Sequence, residues 1–549
     1  MANKLFTQVP VRKPRTNVFN LSHDRKFSMD FGQLVPVLVQ EMIPSDYFSD
    51  RVETFMRFAP LVSPVMHRAN AYLHVFFVPN RILWDGWEDF ITGNLPDDET
   101  PAAPYLNWCN RYHSSLGIDV KAGDLGDYLG LPLSIESETD YQQKVSALPH
   151  AAYQRIYYEY YRDENLQDSI EKVELIDGDN TSIQDDLYPL RYRAWTKDYF
   201  TSALPWAQKG DEVMLPLGSF NDVPVYTDEL MTGVPYPTRL KPALPASPWE
   251  EAIDSETTWS AGTDGELADM KLPGVLPGSF IPAGLDAELS QFKARTSDLE
   301  AEAASINNLR RAFRLQEWLE KNARGGTRYV ESIQVHFGIR PQDSRLQRPE
   351  YVGGAMQPVT ISEVLSTVGT EERPQGDMAG HGISVGSSGK IKYFAREHGY
   401  LIGIMSVMPV PAYQQGIPRH FSRFDRFDYY WQDFAHIGEE EILNKELVAT
   451  GDIDHDNQTF GYTPRYASYK YAPSTVHGDF RTSLDFWHMG RIFDPENPPA
   501  LNSDFIRMQP QEVSRIFAVQ DTGVNHLWVH MYHNIKMRRP MPKFGVPSF

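Results

Sequence analysis

Six segments with the composition of β-strands are spread over the whole chain, and helical segments do not alternate regularly with them. They are residues 34–39, 71–78, 329–337, 400–408, 512–519 and 527–535. Residues 71–78 (AYLHVFFV) are apolar on both alternating faces, which predicts a strand that is covered on both sides. A doubly wound parallel sheet needs a helix between successive strands, so this spacing instead predicts an antiparallel sandwich with insertions.

Two segments have helical spacing. In residues 301–322 the apolar side chains recur on one face before the glycine pair at 325–326, which predicts a helix that ends there. Residues 151–161 (AAYQRIYYEYY) predict a second helix, with tyrosines buried in a core or at a subunit contact. Because 549 residues exceed the usual size of one domain, we expect two or three domains, or one core with long insertions.

The charge is distributed unevenly along the chain. The net charge is −21, yet the residues before Asp24 and those after His533 contain cations and no acid. These cations are Lys4, Arg12, Lys13 and Arg15 at the first end and Lys536, Arg538, Arg539 and Lys543 at the second. Nearby prolines favour extended arms, which we predict at residues 1–26 and 533–549. Such arms suit sequence-independent binding to phosphates, although an acidic groove on a neighbouring chain or simple solubility would also explain them.

Residues 216–282 are rich in proline, and their apolar residues show neither a sustained helical period nor a sustained strand period. They contain ten prolines, where average usage would give about three or four. Long segments of this type are usually functional loops or disordered, so we predict a long excursion from the core.

Residues 382–386 (GISVG) match G-x-S-x-G, the pattern that holds a nucleophilic serine on a strand-to-helix turn. Loop-like sequence precedes Ser384, and two predicted strands around a turn at 397–399 follow it, so we predict a hairpin here. The Gly389-Lys390 pair is followed by isoleucine, where a phosphate-binding P-loop requires serine or threonine. We therefore interpret residues 380–390 as a glycine-rich loop whose glycines permit positive backbone dihedrals. The sequence predicts no catalytic residues and no enzymatic activity.

Metal and disulfide chemistry find little support. His526 and His530 share one face of a predicted strand, whereas His533 points to the other face, which disfavours a zinc site. Cys109 is the single cysteine, so it can form no internal disulfide. We predict no metal site and no cofactor.

The chain shows no membrane-spanning pattern. The longest apolar stretch, residues 400–413, is too short to cross a bilayer and is broken by two prolines. Residues 1–15 lack the apolar core of a signal peptide. We therefore expect synthesis in the cytosol and no membrane insertion.

Four long stretches, in order along the chain, resemble a single family. They are NVFNLSHDRKFSMDFGQLVPVLVQEMIPSD from Asn17, SPVMHRANAYLHVFFVPNRILWDGWEDFITG from Ser63, SINNLRRAFRLQEWLEKNARGGTRYVESIQVHFGIRPQDSRLQRPEYVGG from Ser305 and HGYLIGIMSVMPVPAYQQGIPRHFSRFDRFDYYWQDFAHIGEE from His398. From about Asn17 to the C-terminal arm, the chain resembles the major capsid proteins of Microviridae, and in particular their gokushovirus branch.

This resemblance implies a mainly β fold: an eight-stranded antiparallel jelly roll of the viral capsid type, with long helical and loop insertions between strands. It divides the chain into five parts. They are the basic arm at 1–26, core strands with helical and acidic insertions at 27–217, a proline-rich surface insertion at 218–299, a helix with the remaining strands at 300–532, and the second basic arm at 533–549.

The resemblance also implies an assembly and its partners. Sixty copies, built through pentamers, would close a T=1 icosahedral shell around a circular single-stranded DNA genome. The insertion at 218–299 would project at the threefold axes and attach to a host surface receptor. Small basic DNA-binding or pilot proteins would share the virion, which would assemble in the host cytoplasm. The arm cations would hold DNA, and Phe6, Phe19 and Phe544 could stack on unpaired bases.

Other functions exist on the same sandwich fold. Jelly rolls also occur in lectins and cupins, so a carbohydrate-binding or hydrolytic protein is the alternative. A cupin would need clustered histidines and a carboxylate on adjoining strands, and the sequence presents no such set. A minor structural or spike protein is a third option, and the full complement of strands with both arms argues against it.

Overall fold

The structure is a computed structural model. It describes residues 15–92, 100–109, 117–136, 141–167, 173–210, 225–227, 292–294, 306–325, 331, 334–336, 342–365, 378–521 and 523–544. The chain divides into two units, one formed by Met1–Gly210 with Trp318–Phe549 and the other by Asp211–Glu317. Lys4, Arg12, Lys13 and Phe6 lie outside the described residues, as does most of the predicted insertion at 218–299.

The described residues are mainly β. The strands are β1 (Asn17–Asn20), β2 (His23–Met29), β3 (Val35–Met42), β4 (Tyr47–Asp50), β5 (Val52–Phe58), β6 (Ala69–Pro79), β7 (Tyr105–Cys109), β8 (Gln142–Ser146), β9 (Val225–Thr227), β10 (Phe292–Ala294), β11 (Glu350–Pro358), β12 (Thr360–Leu365), β13 (Met378–Ser387), β14 (Ile391–Phe394), β15 (Gly399–Pro409), β16 (Ala412–Tyr413), β17 (Glu439–Leu443), β18 (Thr459–Pro464), β19 (Ser474–Thr475), β20 (Leu527–His533) and β21 (Lys536–Arg539).

Helices are fewer and mostly short. The α-helices are Trp87–Thr92, Leu125–Leu129, Leu148–Ile156, Gln184–Leu187, Ile306–Gly325, Asn444–Leu447, Ile453–Asp456, Ala467–Lys470 and Ser503–Ile506, and Tyr157–Tyr161 continues the third as a π-helix. Short 3₁₀ turns lie at Asn80–Ile82, Thr181–Ile183, Asp343–Leu346, Arg419–Ser422, Arg426–Asp428, Gln432–Phe434, Gly478–Arg481, Asp485–Trp487, Pro510–Glu512 and Ser514–Ile516. None of the helices among the described residues is long and apolar enough to cross a membrane.

Two antiparallel sheets share the largest hydrophobic core. One has the strand order β12-β13-β5-β20-β2 and the other β11-β6-β15-β3. Met56 of β5 and Met531 of β20 lie in the same buried cluster as Leu73 of β6 and Met405 of β15. The predicted antiparallel arrangement is therefore confirmed, and so are the strands predicted at 34–39, 71–78, 400–408 and 527–535.

Strand β6 is covered on both faces, as its sequence predicts. Leu73 and Phe77 point into the core between the two sheets, whereas Phe76 and Val78 belong to a second buried cluster. That second cluster contains Tyr153 of the helix Leu148–Ile156 and the adjoining Tyr157. The tyrosine-rich segment therefore packs against the outer face of the four-stranded sheet, which confirms both the predicted helix and its burial.

Two predicted strands are wrong. Among residues 329–337, the described positions 331 and 334–336 are helical, and His336 stacks on Trp318 at a ring separation of 5.8 Å. Residues 512–519 form turns because Pro510 begins a 3₁₀ helix and Glu512 turns inward to bind Arg491 at 3.0 Å. In both segments, contacts with other parts of the chain override a short strand-like sequence, which by itself does not distinguish strand from helix or turn.

The glycine-rich stretch at 380–387 is also not a loop. It forms most of β13. The two strands that follow do not pair with each other, since β14 pairs with β4, and β15 pairs with β3 and β6. The predicted hairpin is therefore wrong. Glycine is needed here for close approach: a Cβ at Gly380 would overlap the Ser63 carbonyl oxygen, and one at Gly382 would lie 2.6 Å from the Phe58 ring. Ser384 is buried and donates to the Pro358 carbonyl at 2.9 Å, inside a strand and not on a strand-to-helix turn.

We expect Gly382→Ala to destabilise the fold by about 1–3 kcal/mol, because the new methyl group would overpack a buried contact with Phe58. The check is the urea concentration at half-unfolding of the purified chain. Gly389→Ala is the matched control, since a Cβ there meets no atom within 4 Å. Equal unfolding midpoints for the two variants would contradict this account of the close approach.

Candidate functional site

A third antiparallel sheet, with strand order β14-β4-β21-β1, continues the five-stranded sheet across a bend. Each of its strands is joined by a few residues to a strand of that sheet, since β13 leads to β14, β4 to β5, β20 to β21 and β1 to β2. Hydrogen bonds hold the strands together at the bend, including a reciprocal pair between Arg51 and Asn534 at 3.3 and 3.1 Å. The four strands therefore change direction together and keep the same neighbours.

Alternation along these strands separates an inner from an outer face. Phe19, Met537, Phe48 and Tyr393 are cross-strand neighbours on the inner face, where Phe48 and Met537 are fully buried. The outer face has two cross-strand rows, Asn20-Lys536-Ser49-Lys392 and Val18-Arg538-Tyr47-Phe394. The core therefore fixes which side chains the sheet presents outward.

The outer face and the bend are strongly cationic. We define the basic face as Arg51, Lys390, Lys392, Lys536 and Arg538, all of which are exposed. No acidic residue occurs in the two outer rows or among the residues that line the cleft at the bend. Lys536 and Lys392 lie on either side of Ser49, which places their strands about 10 Å apart. In a chain of net charge −21, this concentration of positive charge favours an anionic ligand.

A cleft of about 310 Å³ opens at the bend. It is lined by Ser49, Arg51, Ser388, Gly389, Lys390, Asn534 and Lys536. Arg51 donates from Nε and Nη2 to Ser387 Oγ, both at 3.3 Å, which orients its guanidinium group along the cleft wall. Cations, hydroxyl groups and an amide in one cleft are the groups that bind phosphate oxygens.

Aromatic side chains accompany the cations on the outer face. Arg538 lies over the Tyr47 ring at 5.7 Å, and Phe394 is exposed beside Tyr47. At the chain end, Lys543 lies 5.9 Å from the exposed Phe544 ring. Aromatic rings next to cations are the arrangement on which unpaired bases stack while the phosphates bind nearby.

The cations predicted from the sequence do not all lie on one face in the structure. It brings Lys536 and Arg538 together on the basic face, and it places Arg15 exposed before β1. Arg539 points to the opposite face, where it binds Asp46 at 3.2 Å and the Glu41 carbonyl at 2.6 Å. Burial raises the pKa of the Asp46 carboxyl above its ordinary value, although Arg539 acts in the opposite direction. Arg539 therefore stabilises the fold and is not part of the basic face.

Both predicted arms include sheet residues. β1 pairs with β21 and β2 pairs with β20, so residues 17–26 and 533–539 lie side by side within the sheets. Phe19, predicted near bound bases, faces inward and is half-buried. The prolines at 10, 14, 540 and 542 lie outside these strands, which leaves the intervening residues free to pair.

Sequence reasoning missed Arg51, Lys390 and Lys392. A signal for the two lysines was present, because KIKYF and KMRR both place cations two residues apart on one face of a strand. Arg51 carried no such pattern, since its position depends on the bend between β4 and β5.

The three histidines considered as zinc ligands bind three different carboxylates. His526 contacts Asp30, His530 contacts Asp24 and His533 contacts Asp50, at 2.8, 2.9 and 2.8 Å. In the described part of the chain, no group of three or more histidine, cysteine or acidic side chains could hold a metal ion.

Comparison with known proteins finds capsid proteins in each case. Residues 7–549 match the family described as capsid protein (F protein). The chain is similar to capsid protein VP1 of Chlamydia phage 1, at 35% identity over 99% of this chain and 97% of that protein. It is equally similar to capsid protein VP1 of Bdellovibrio phage phiMH2K, at 35% identity over the same shares of the two chains. Capsid protein VP1 of Spiroplasma virus 4 is 28% identical over 97% of this chain.

These matches cover both sheets and the basic face, and they extend over nearly the full length of each relative. The chain belongs to the capsid protein (F protein) family, and it is a major capsid protein of the Microviridae type.

Proposed function

We propose that this chain assembles into a small T=1 icosahedral shell of sixty copies, built through pentamers, that encloses a circular single-stranded DNA genome. Membership of a capsid protein family and full-length similarity to three phage capsid proteins support this proposal. The protein then resides in the virion after assembly in the host cytoplasm. Its role is structural, and the named relatives give no support to a hydrolytic or carbohydrate-binding alternative.

An eight-stranded jelly roll is the fold that we propose for the core. The two sheets that share the core contain five and four strands, so one strand lies beyond the eight. Two long excursions leave this core, residues 80–349 between β6 and β11 and residues 410–526 between β15 and β20. A jelly roll tolerates such excursions because its two sheets remain paired while the loops grow.

The basic face is the surface that we propose for the genome. The single observation that carries this step is the set of five exposed cations without an acidic residue in the outer rows. Lysine and arginine next to phosphates release condensed counterions, which gives binding that is independent of sequence and sensitive to salt. Lys4, Arg12, Lys13, Arg15 and Lys543 would extend the same surface from the chain ends.

The insertion at 218–299 is proposed as the part that meets a host surface receptor. Its support is the proline-rich sequence, which is typical of long surface excursions. Small basic DNA-binding or pilot proteins are the proposed further components of the virion.

Nuclease protection tests the enclosed genome. Particles purified from producing cells should protect circular single-stranded DNA of uniform length, and that DNA should become digestible once the particles are dissociated. Particles that contain no DNA, or DNA that nuclease removes from intact particles, would contradict genome enclosure.

A further inference from the structure

Residues 417–437 and 465–471 form an exposed aromatic surface, which we call the aromatic surface. Its most prominent side chains are Phe421, Phe424, Tyr429, Tyr430, Trp431 and Tyr469, each about half exposed or more, and Phe424 is 90% exposed. Ring contacts connect them, since Tyr430 lies 6.3 Å from Tyr469 and Phe427 lies 5.8 Å from Phe434. A contiguous exposed apolar patch larger than about a few hundred Å² marks a contact site.

The aromatic surface is held in a fixed conformation. The carboxylate of Asp428 accepts from the backbone nitrogens of Phe424 and Asp425, both at 2.8 Å. Trp431 donates from Nε1 to the Arg426 carbonyl at 2.8 Å, and its backbone nitrogen donates to the Tyr466 hydroxyl at 3.2 Å. Because these bonds order the segment in the free chain, little conformational entropy is lost when a partner binds.

Arginines lie among the aromatic rings. Arg423 is 3.9 Å from the centre of the Tyr469 ring and donates to Ser468 Oγ at 3.0 Å. Arg426 is 4.6 Å from the Phe427 ring. Tryptophan, tyrosine and arginine are the residues that contribute most to binding energy in protein–protein interfaces, whereas lysine and glutamate are depleted there.

The charges distinguish this surface from the basic face. Three aspartates lie among the cations of the aromatic surface: residues 417–437 contain three arginines and three aspartates, and residues 465–471 add Arg465 and Lys470. Arg419 is engaged with Glu446 at 3.0 Å. A nucleic acid backbone favours a surface of cations without interspersed acids, which the basic face offers and the aromatic surface does not.

We propose that a second copy of this chain covers the aromatic surface. A fully exposed aromatic side chain presents about 150–250 Å², so the exposed rings and aliphatic groups of this surface offer on the order of 900 Å². One partner of a standard-size interface buries about 800 Å². This inference rests on the proposed shell, because closed assemblies require each chain to present such a contact to a neighbour.

The test is a double variant, Phe421→Glu with Phe424→Glu. Both side chains are largely exposed, so the isolated chain should keep its far-ultraviolet circular dichroism and its thermal midpoint. The fraction of chain in assembled particles, measured by sedimentation velocity, should fall at least tenfold because two carboxylates would be buried in an apolar contact. Ile453→Glu is the matched control: Ile453 is 72% exposed outside the aromatic surface, and this variant should assemble like the unmodified chain.

A photocrosslink identifies the occupant directly. With p-benzoyl-phenylalanine in place of Phe424, irradiation should yield a covalent dimer at twice the chain mass. Normal assembly of the double variant would overturn the inference, as would crosslinks to DNA or to host-cell material without the dimer. Failure of the unmodified chain to form any shell, even with single-stranded DNA or an assembly factor, would contradict the proposed function instead, and the crosslinked dimer would still report pairing through the aromatic surface.

Discussion

Replacing Lys390, Lys392 and Lys536 together with glutamine should weaken binding to single-stranded DNA by about 100-fold at 0.1 M salt. Each lysine that contacts a phosphate adds about 0.7 to the slope of the logarithm of affinity against the logarithm of salt concentration, so three lysines account for about two units of slope. The measurement is fluorescence anisotropy of a labelled thymidine oligonucleotide, titrated with the purified chain over a series of salt concentrations. The slope should fall by about two units along with the affinity.

Three lysines elsewhere on the surface provide the control. Lys26, Lys121 and Lys144 are exposed and lie outside the third sheet, so their replacement with glutamine removes the same charge. The control variant should lose far less affinity, because it changes the net charge without removing phosphate contacts. An equal loss in the two variants would show that net charge, and not the basic face, governs binding.

The second large effect is expected at a buried histidine–carboxylate contact between β20 and β4. His533 at the end of β20 binds Asp50 of β4 at 2.8 Å, and both side chains are only 1% exposed. The other ring nitrogen of His533 lies 3.2 Å from the Val37 carbonyl, so the ring contacts an oxygen atom on each side. His533→Ala should therefore destabilise the fold by about 3–5 kcal/mol, since it leaves the Asp50 carboxylate buried without its partner.

His530 on the same strand is the matched control for this prediction. It binds Asp24 at 2.9 Å, but the two side chains are 46% and 53% exposed. His530→Ala should cost about 1 kcal/mol or less, because water replaces the lost contact. Urea unfolding of the two variants measures the difference. Similar midpoints would mean that burial of the His533–Asp50 pair does not govern its contribution.

The parts of the fold that the sequence predicts are those where pattern and burial agree. Residues 71–78 are apolar on both faces, and the strand is covered by two separate clusters. Residues 512–519 also have a strand-like composition but form turns, because Glu512 binds Arg491 from a different part of the chain. A contact between residues so distant in sequence leaves no local pattern to read.

The basic face was predictable only in part, because some of its cations are brought together by strand pairing and not by local sequence. Lys536 and Arg538 were recognised from the absence of acid near the C-terminus, and the structure places them together. Lys392 joins them only because β14 pairs with β4 beside β21, which is a matter of strand order. Composition located the charge at the chain ends, and the register of the third sheet determined which cations share a face.

Light scattering behind size exclusion, with electron microscopy of each peak, tests the central claim most directly. The purified chain should yield uniform closed shells, and sixty chains of 62.7 kDa correspond to a mass of about 3.8 MDa. A stable monomer that neither single-stranded DNA nor an assembly factor converts into shells would contradict the account.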